Sequence, residues 1–232
     1  MAKVWIPLLS HLEKASGVSL RFKTDSSIPK FEEKLAKGEY DLAYMNPYHY
    51  VVFHEQSQYE AIAKAKDKLI KGIIVVPRNS PIVKLDDLHG KTMAFPAPAA
   101  FAASILPRAY LKSKHIDITA TYVNSHDSVY ANVALGRYTA GGGVMRTFKN
   151  TPEKYRNELK VLWTTNGYTP HAFAGLSTIN TKDLEKVKQA MIDLDKSEDG
   201  KKLLNALKLQ GIEAARNKDW DDVRELNINL LK

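Results

Sequence analysis

The run Asn124-Ser125-His126-Asp127-Ser128-Val129-Tyr130 sets a hydroxyl, an imidazole and a carboxylate side by side where the pattern predicts a helix to start. The first N–H groups of a helix have no partner within it and sit at the positive end of its dipole, so such a start favours an anion. Ser125, His126 and Asp127 are therefore candidate ligand contacts, with helix capping as the ordinary alternative for His126. They are not a catalytic triad, because neighbours on one turn diverge whereas triad members converge from separate segments. Downstream, Ala140-Gly141-Gly142-Gly143-Val144-Met145-Arg146 reads as a strand ended by Arg146. The planar guanidinium of Arg146 suits an oxyanion bidentately, or simply caps a sheet edge. The glycines permit close approach of either a ligand or a helix. Upstream, the strand Lys91 to Phe95 breaks at Pro96-Ala97-Pro98 and restarts as a small-residue helix through Ala99, Ala100, Phe101 and Ser104. Two strand-to-helix junctions, each offering amides to one small anion, suggest a binding cleft.

The rest of the chain has to hold these junctions in place. At 232 residues, with 44% hydrophobic and 26% charged, it buries an ordinary core and allows one domain or two lobes. The absence of Cys removes disulfides, thiolate metal sites and a Cys nucleophile. No apolar run approaches a membrane span, and the start Met1-Ala2-Lys3-Val4-Trp5 lacks signal-peptide character. The net charge of +8 is spread over helical faces such as Lys182 to Lys188, interleaved with acids, which argues against nucleic-acid binding and is compatible with drawing in a small anion. His49 and His54 lack the spacing of a joint metal site, so neither a metal nor any other cofactor is expected. The Gly-x-Ser-x-Gly elbow, the His-Glu-x-x-His helix and the dinucleotide fingerprint are all missing, and the expectation is a non-enzyme.

Apolar spacing predicts a helix over 5 to 16 ended by Gly17, a strand over Val18 to Phe22, a helix from Pro29 to Gly38 and a strand over Tyr40 to Met45. Asn46-Pro47 opens a helix from Tyr48 to His54, and strands follow at Tyr59 to Ala65 and Gly72 to Pro77. A second βα series comprises helix 100 to 113, strand Ala120 to Val123, helix 126 to 135, strand Ala140 to Met145, helix 152 to 158 and strand Val161 to Thr164. The chain closes with a strand over Ala172 to Leu176 and helices near 181 to 196, 198 to 209 and 219 to 231. Alternating strands and helices imply an α/β fold with mostly parallel sheets, whose ligands sit beyond the strand C-termini.

Asp41-Leu42-Ala43 followed by Asn46-Pro47-Tyr48, then Leu85-Asp86-Asp87-Leu88-His89-Gly90-Lys91-Thr92, Ser125 to Val129 and the closing Asp219 to Val223, resemble in residue type and order the phosphate, phosphite and phosphonate substrate-binding proteins of ABC transporters. The resemblance implies a two-lobed periplasmic-binding-protein type II fold, with 1–73 and 174–232 as a discontinuous first lobe and 74–173 as the second. Each lobe would be a mostly parallel sheet flanked by helices, and Ile73 to Val76 with Phe173 to Leu176 would be the hinge strands. It implies a monomer that captures a small oxyanion between its lobes for a membrane permease, in the periplasm; a sensory ligand-binding domain of a membrane receptor is the alternative.

The family's ligand contacts carry over to His126 and to Tyr44 or Tyr48, with Asn46 at the same strand end and His171 just before the second hinge strand. Where the family has a hydroxyl-rich turn, this chain has Ala99-Ala100-Phe101-Ala102-Ala103. The amides survive without the hydroxyls, which favours an organic or less hydrated anion over phosphate. Family members also begin with a secretion signal and a strand before the Trp-x-Pro helix that opens here at Trp5-Ile6-Pro7, so the expected start lies upstream of this Met1.

Overall fold

The computed structural model describes residues 2–229. Along the chain lie helices α1 (Ala2–Ser16) and α2 (Ile28–Ala36), strand β1 (Leu42–Met45), helix α3 (Pro47–Ser57), and strands β2 (Tyr59–Ala65), β3 (Gly72–Pro77) and β4 (Thr92–Phe95). A π-turn over Phe101–Ile105 runs directly into α4 (Leu106–Ser113), followed by β5 (Thr119–Tyr122), α5 (His126–Ala134), β6 (Ala140–Val144), α6 (Met145–Lys149), α7 (Glu153–Arg156) and β7 (Leu159–Thr164). The chain then forms β8 (Ala172–Leu176), α8 (Thr181–Ile192), α9 (Glu198–Ala206), β9 (Ile212–Ala214), a 3-10 turn over Asn217–Trp220 and α10 (Asp221–Arg224).

The chain divides into two compact units, which change over between Leu69 and Ile70 and again between Tyr168 and Thr169. Boundaries at 73/74 and 173/174, as expected from the sequence, would cut through β3 and β8, each of which lies whole within one unit. Ile70 and Tyr168, the first and last residues of the second unit's described segment, exchange backbone hydrogen bonds of 2.8 and 3.0 Å.

In the unit holding the chain start, the described sheet has the order β1-β8-β2-β9, and every neighbouring pair is antiparallel. The expected parallel character is present but interleaved: β1 and β2 run parallel to each other, and β8, returning from the other unit, is inserted between them in the opposite sense. The second sheet, β5-β4-β6-β3-β7, repeats this design. There β4 pairs in parallel with β5 and β6, while β3, entering from the first unit, is antiparallel to both β6 and β7. The first sheet is therefore antiparallel throughout and the second is mixed; neither is mostly parallel.

β3 reads as a continuous apolar run because it is buried on both faces. Ile74 and Val76 join Met93, Phe95 and Leu111 on one side, while Ile73 and Val75 join Ala94, Val129 and Val133 on the other. The core of the first unit is built from Leu8 and Leu12 of α1, Phe173 of β8, Val187 and Met191 of α8 and Leu204 of α9. The spacing of Leu8 and Leu12 puts both on one face of α1, which stops where Gly17 takes φ +70°.

Several local expectations change. Val18 to Phe22 forms no strand; Val18 and Leu20 do pack on the core, but the segment joins no β-ladder among the described residues. Alternating apolar residues secure a buried face, whereas a strand also needs a backbone partner. The closing helix is four residues long as α10, and a left-handed Asn227 at φ 49° prevents its continuation; residues 230 and 231 of the expected 219 to 231 helix lie outside the described residues. β9 and α6 are too short to leave a periodic signal.

Candidate functional site

Strand direction decides where chemistry accumulates in the Ile70–Tyr168 unit. β5, β4 and β6 are adjacent and parallel, so their C-terminal ends share one edge of the sheet, and each is followed by a helix start: Ser125–His126 after β5, Ala100–Phe101 after β4 and Met145–Arg146 after β6. The free amides of three helix starts thus open onto one region. Arg146 lies on α6 and not at the end of the glycine strand as expected, because the strand stops at Val144.

The turn after β4 is wound wide. Ala100 O accepts from Ser104 N at 2.7 Å and from Ile105 N at 3.2 Å, and Leu106 N reaches back to Phe101 O. Leu106 N is thereby withdrawn from Ala102 O, and Pro107 has no N–H to give Ala103 O. The two freed carbonyls lie against glycines: a Cβ on Gly72 would fall 1.9 Å from Ala102 O, and one on Gly142 would fall 2.0 Å from Ala103 O. The remaining glycines of β6 make room for α5, Gly141 beneath Val129 and Val133 and Gly143 against the Tyr130 ring. Tight helix packing is what this glycine strand serves. The Phe101 ring is turned inward, 1% exposed and edge-on to Tyr168 at 5.7 Å, with Ala99 and Ala100 also buried. Ala99 to Ile105 are all buried, and the Phe101 ring contributes to the core and adds no apolar wall to an exposed surface. Ser104 Oγ is fully buried without a hydrogen-bond partner.

At the α5 start, Ser125 Oγ accepts from Ser128 N at 3.1 Å and donates to Ser128 Oγ at 2.8 Å, so Ser125 builds the cap. Tyr130, one turn on, ties α5 to the β6–α6 junction through Val144 N, Val144 O and Thr147 Oγ1. His126 Nδ1 is buried with no hydrogen-bond partner. Burial pushes the imidazole pKa down to about 4, Arg146 adds to the shift and Asp127 opposes it. His126 is therefore neutral at pH 7 and offers a hydrogen bond without a charge. Arg146 and Asp127 are exposed, and among the described residues Arg146 makes no ion pair or side-chain hydrogen bond.

In the other unit, β1 ends and β8 begins at the same sheet edge, since Met45 pairs with Ala172. Tyr44 stacks on His171 at 5.1 Å and 24°, with Trp5 at 5.0 Å and Phe173 at 4.5 Å from the Tyr44 ring. Asn46 caps α3, its Oδ1 accepting from His49 N at 2.9 Å. Tyr48 is 1% exposed and sits in the core. The structure thus brings Tyr44 and His171 together at one edge, and Ala99, Ala100, Phe101, Ser125, His126, Asp127 and Arg146 at the edge of the second sheet. His49 Nε2 pairs with Glu32 at 2.9 Å, and His54 Nδ1 lies 2.9 Å from Tyr59 O. No group of three or more acidic or histidine side chains able to hold a metal occurs among the described residues.

Residues 1–220 match the family model described as "ABC transporter, phosphonate, periplasmic substrate-binding protein". The chain belongs to this family. A curated relative, the phosphate-import protein PhnD of Mycolicibacterium smegmatis, is 24% identical in an alignment of 211 residues that covers 78% of this chain; the chain spans 64% of that relative's length. Among solved structures, PhnD1 from Prochlorococcus marinus in complex with methylphosphonate matches with a TM-score of 0.87 at 18% identity, over 97% of this chain and 91% of that one. A binding protein component of an ABC phosphonate transporter from Pseudomonas aeruginosa gives the same TM-score at 14% identity, over 97% and 80% of the two chains. An ancestral arginine-binding protein matches at 0.62 and 19% identity, over 90% and 88%. The fold is that of type II periplasmic binding proteins, and the family is one of substrate-binding proteins.

Within this member of the family, the buried Ser104 hydroxyl and the Tyr130 tie to β6 carry no signal in the sequence, because both depend on groups brought close only by the fold. The state of His126 has a measurable consequence. Its folded pKa of about 4 lies below the ordinary histidine value of 6.5, so between those values the unfolded chain holds the extra proton. The stability contribution is complete above pH 6.5 and is lost as pH falls toward 4, with a slope of up to about 1.4 kcal/mol per pH unit. Urea denaturation at pH 7, 6 and 5 should show this slope in the wild-type chain and a flatter one in His126→Gln. Equal slopes would place His126 in water.

Proposed function

We propose that the protein is the solute-binding component of an ABC importer, working as a monomer outside the cytoplasmic membrane and delivering a small phosphorus or sulfur oxyanion to a permease. The observation that carries this is the convergence at one sheet edge of three helix starts with a neutral imidazole, His126, and an exposed guanidinium, Arg146. Amides and Arg146 bind an anion by hydrogen bonds to its charged form, each worth about 1.5–3 kcal/mol. A neutral His126 donates to one oxygen and is indifferent to the rest. Binding followed by release is the chemistry proposed for this edge. In the other unit, the expected contacts Tyr44, Asn46 and His171 are proposed as ligand-binding residues, with Tyr44 and His171 stacked at one sheet edge, whereas Tyr48 is taken up by the core.

Ligand choice follows from the alanine turn. A strongly hydrated dianion needs hydroxyl donors to replace its water, and each unmatched buried polar group costs about 1–3 kcal/mol. An organophosphonate with an apolar substituent, or a sulfur oxyanion, should raise the melting temperature more than inorganic phosphate does in a thermal-shift panel. Stabilisation follows occupancy and reaches about 2.7 kcal/mol at a hundredfold excess over Kd. A panel in which phosphate gives the largest shift would show that amides and Arg146 suffice without hydroxyls.

A further inference from the structure

The closing motif Asp219–Val223 lies far in sequence from every candidate contact, yet it grips the segment that presents His171. Thr169 N donates to Asp222 Oδ2 at 2.7 Å, Thr169 Oγ1 donates to Asp219 O at 2.8 Å, and the indole of Trp220 donates to Pro170 O at 2.9 Å. Trp220 is itself fully buried, 4.5 Å from the Tyr50 ring, and Tyr50 OH reaches Asn217 at 3.0 Å. Asp219 is held by Lys64 of β2 at 2.9 Å. Thr169 and Pro170 belong to no helix or strand, so these bonds are what fixes them.

Two further features make the grip consequential. Thr169 precedes a proline, which restricts its own backbone to extended conformations, and Pro170 has a fixed φ, so the run into His171 is stiff and whatever holds Thr169 aims His171. The grip also begins at the residue after the unit boundary: Tyr168 is bonded to Ile70 on one side, and Thr169 is bonded to the closing motif on the other. Moreover, Asp222 Oδ1 is buried with no hydrogen-bond partner, a costly state for a carboxylate that is retained beside a single backbone N–H.

We propose that Trp220 and Asp222 are positioning residues which hold Thr169–Pro170 so that His171 stacks on Tyr44, and that they set ligand affinity through His171. The second half rests on the assignment of His171 as a ligand contact; the first does not. A ring stacked on a tyrosine has its proton resonances shifted by the ring current, so NMR of the histidine side chains in the ligand-free full chain reads the positioning directly. In Asp222→Ala the His171 signals should move toward the values of an unstacked histidine. Asp222→Asn, which keeps an acceptor for Thr169 N, should leave them in place. Thr169→Val, which removes the hydroxyl bond alone, keeps the test available should Asp222→Ala fail to fold, and should shift the same signals partway. Unmoved His171 signals in folded Asp222→Ala, or in Thr169→Val where Asp222→Ala does not fold, would overturn the proposal.

Titration with methylphosphonate and with inorganic phosphate tests the second half as a double-mutant cycle. Asp222→Ala should weaken binding about tenfold in the wild-type background and have no further effect in His171→Ala. Additive losses would overturn the route through His171. If neither anion binds the wild-type chain, the proposed function fails, and the NMR measurement still decides the positioning.

Discussion

Gly142→Ala should destabilise the protein by about 3 kcal/mol, the upper part of the range for forcing an atom into a filled core. The added Cβ would fall 2.0 Å from Ala103 O and 2.6 Å from the Phe95 ring. The ring can turn, but the carbonyl belongs to a backbone turn whose neighbouring Ala102 O already lies against Gly72. Relief therefore requires the whole Phe101–Ile105 turn to lift from the sheet, which would also move the amides proposed to hold the anion. Gly141→Ala meets the Val129 and Val133 methyl groups at 2.5 and 2.9 Å, which can shift, with the Ala94 carbonyl no nearer than 3.4 Å, and should cost less. Urea denaturation should show the midpoint of Gly142→Ala falling well below that of Gly141→Ala at an unchanged slope. A Gly142→Ala variant as stable as the wild type would mean that the turn does not rest on β6.

Arg146→Ala and His126→Gln should each weaken binding of methylphosphonate by about 1.5–3 kcal/mol, roughly ten- to a hundredfold in Kd. Arg146 is exposed and unpaired among the described residues, so its loss should leave the melting temperature of the ligand-free protein nearly unchanged. The Arg146 effect should shrink with added salt, because it is a charge effect at an exposed site, whereas the contribution of a neutral His126 should not. Titration calorimetry at two ionic strengths separates the two. Unchanged affinity in both variants would remove them from the site.

Much of the local structure was legible because helices and turns are written in neighbouring residues. Ser125 followed by an apolar run signalled the start of α5, Asn46-Pro47 that of α3, and Gly17 the end of α1. The apolar run Ile73 to Val76 signalled the strand β3, and the structure added that it is buried on both faces. Short elements were missed, and Val18 to Phe22 was misjudged, because alternation reports burial but says nothing about whether a partner strand is there to receive the hydrogen bonds.

The sequence by itself determined most of the longer elements and the two helix starts with anion-binding character, since each depends on residues within a few positions of one another, and the family through the order of several such short motifs along the chain. Only the tertiary structure decided that three helix starts share one sheet edge, because this follows from β4 lying between β5 and β6, a pairing of strands that are separated in the chain by intervening helices. It also decided that β3 and β8 enter their sheets in the opposite sense, that the glycines of β6 serve helix packing, that Phe101 faces inward and that His126 is neutral. Each of these is set by which distant groups come to lie within a few ångströms. Burial and charge act through space, and the chain's local chemistry carries no record of that proximity.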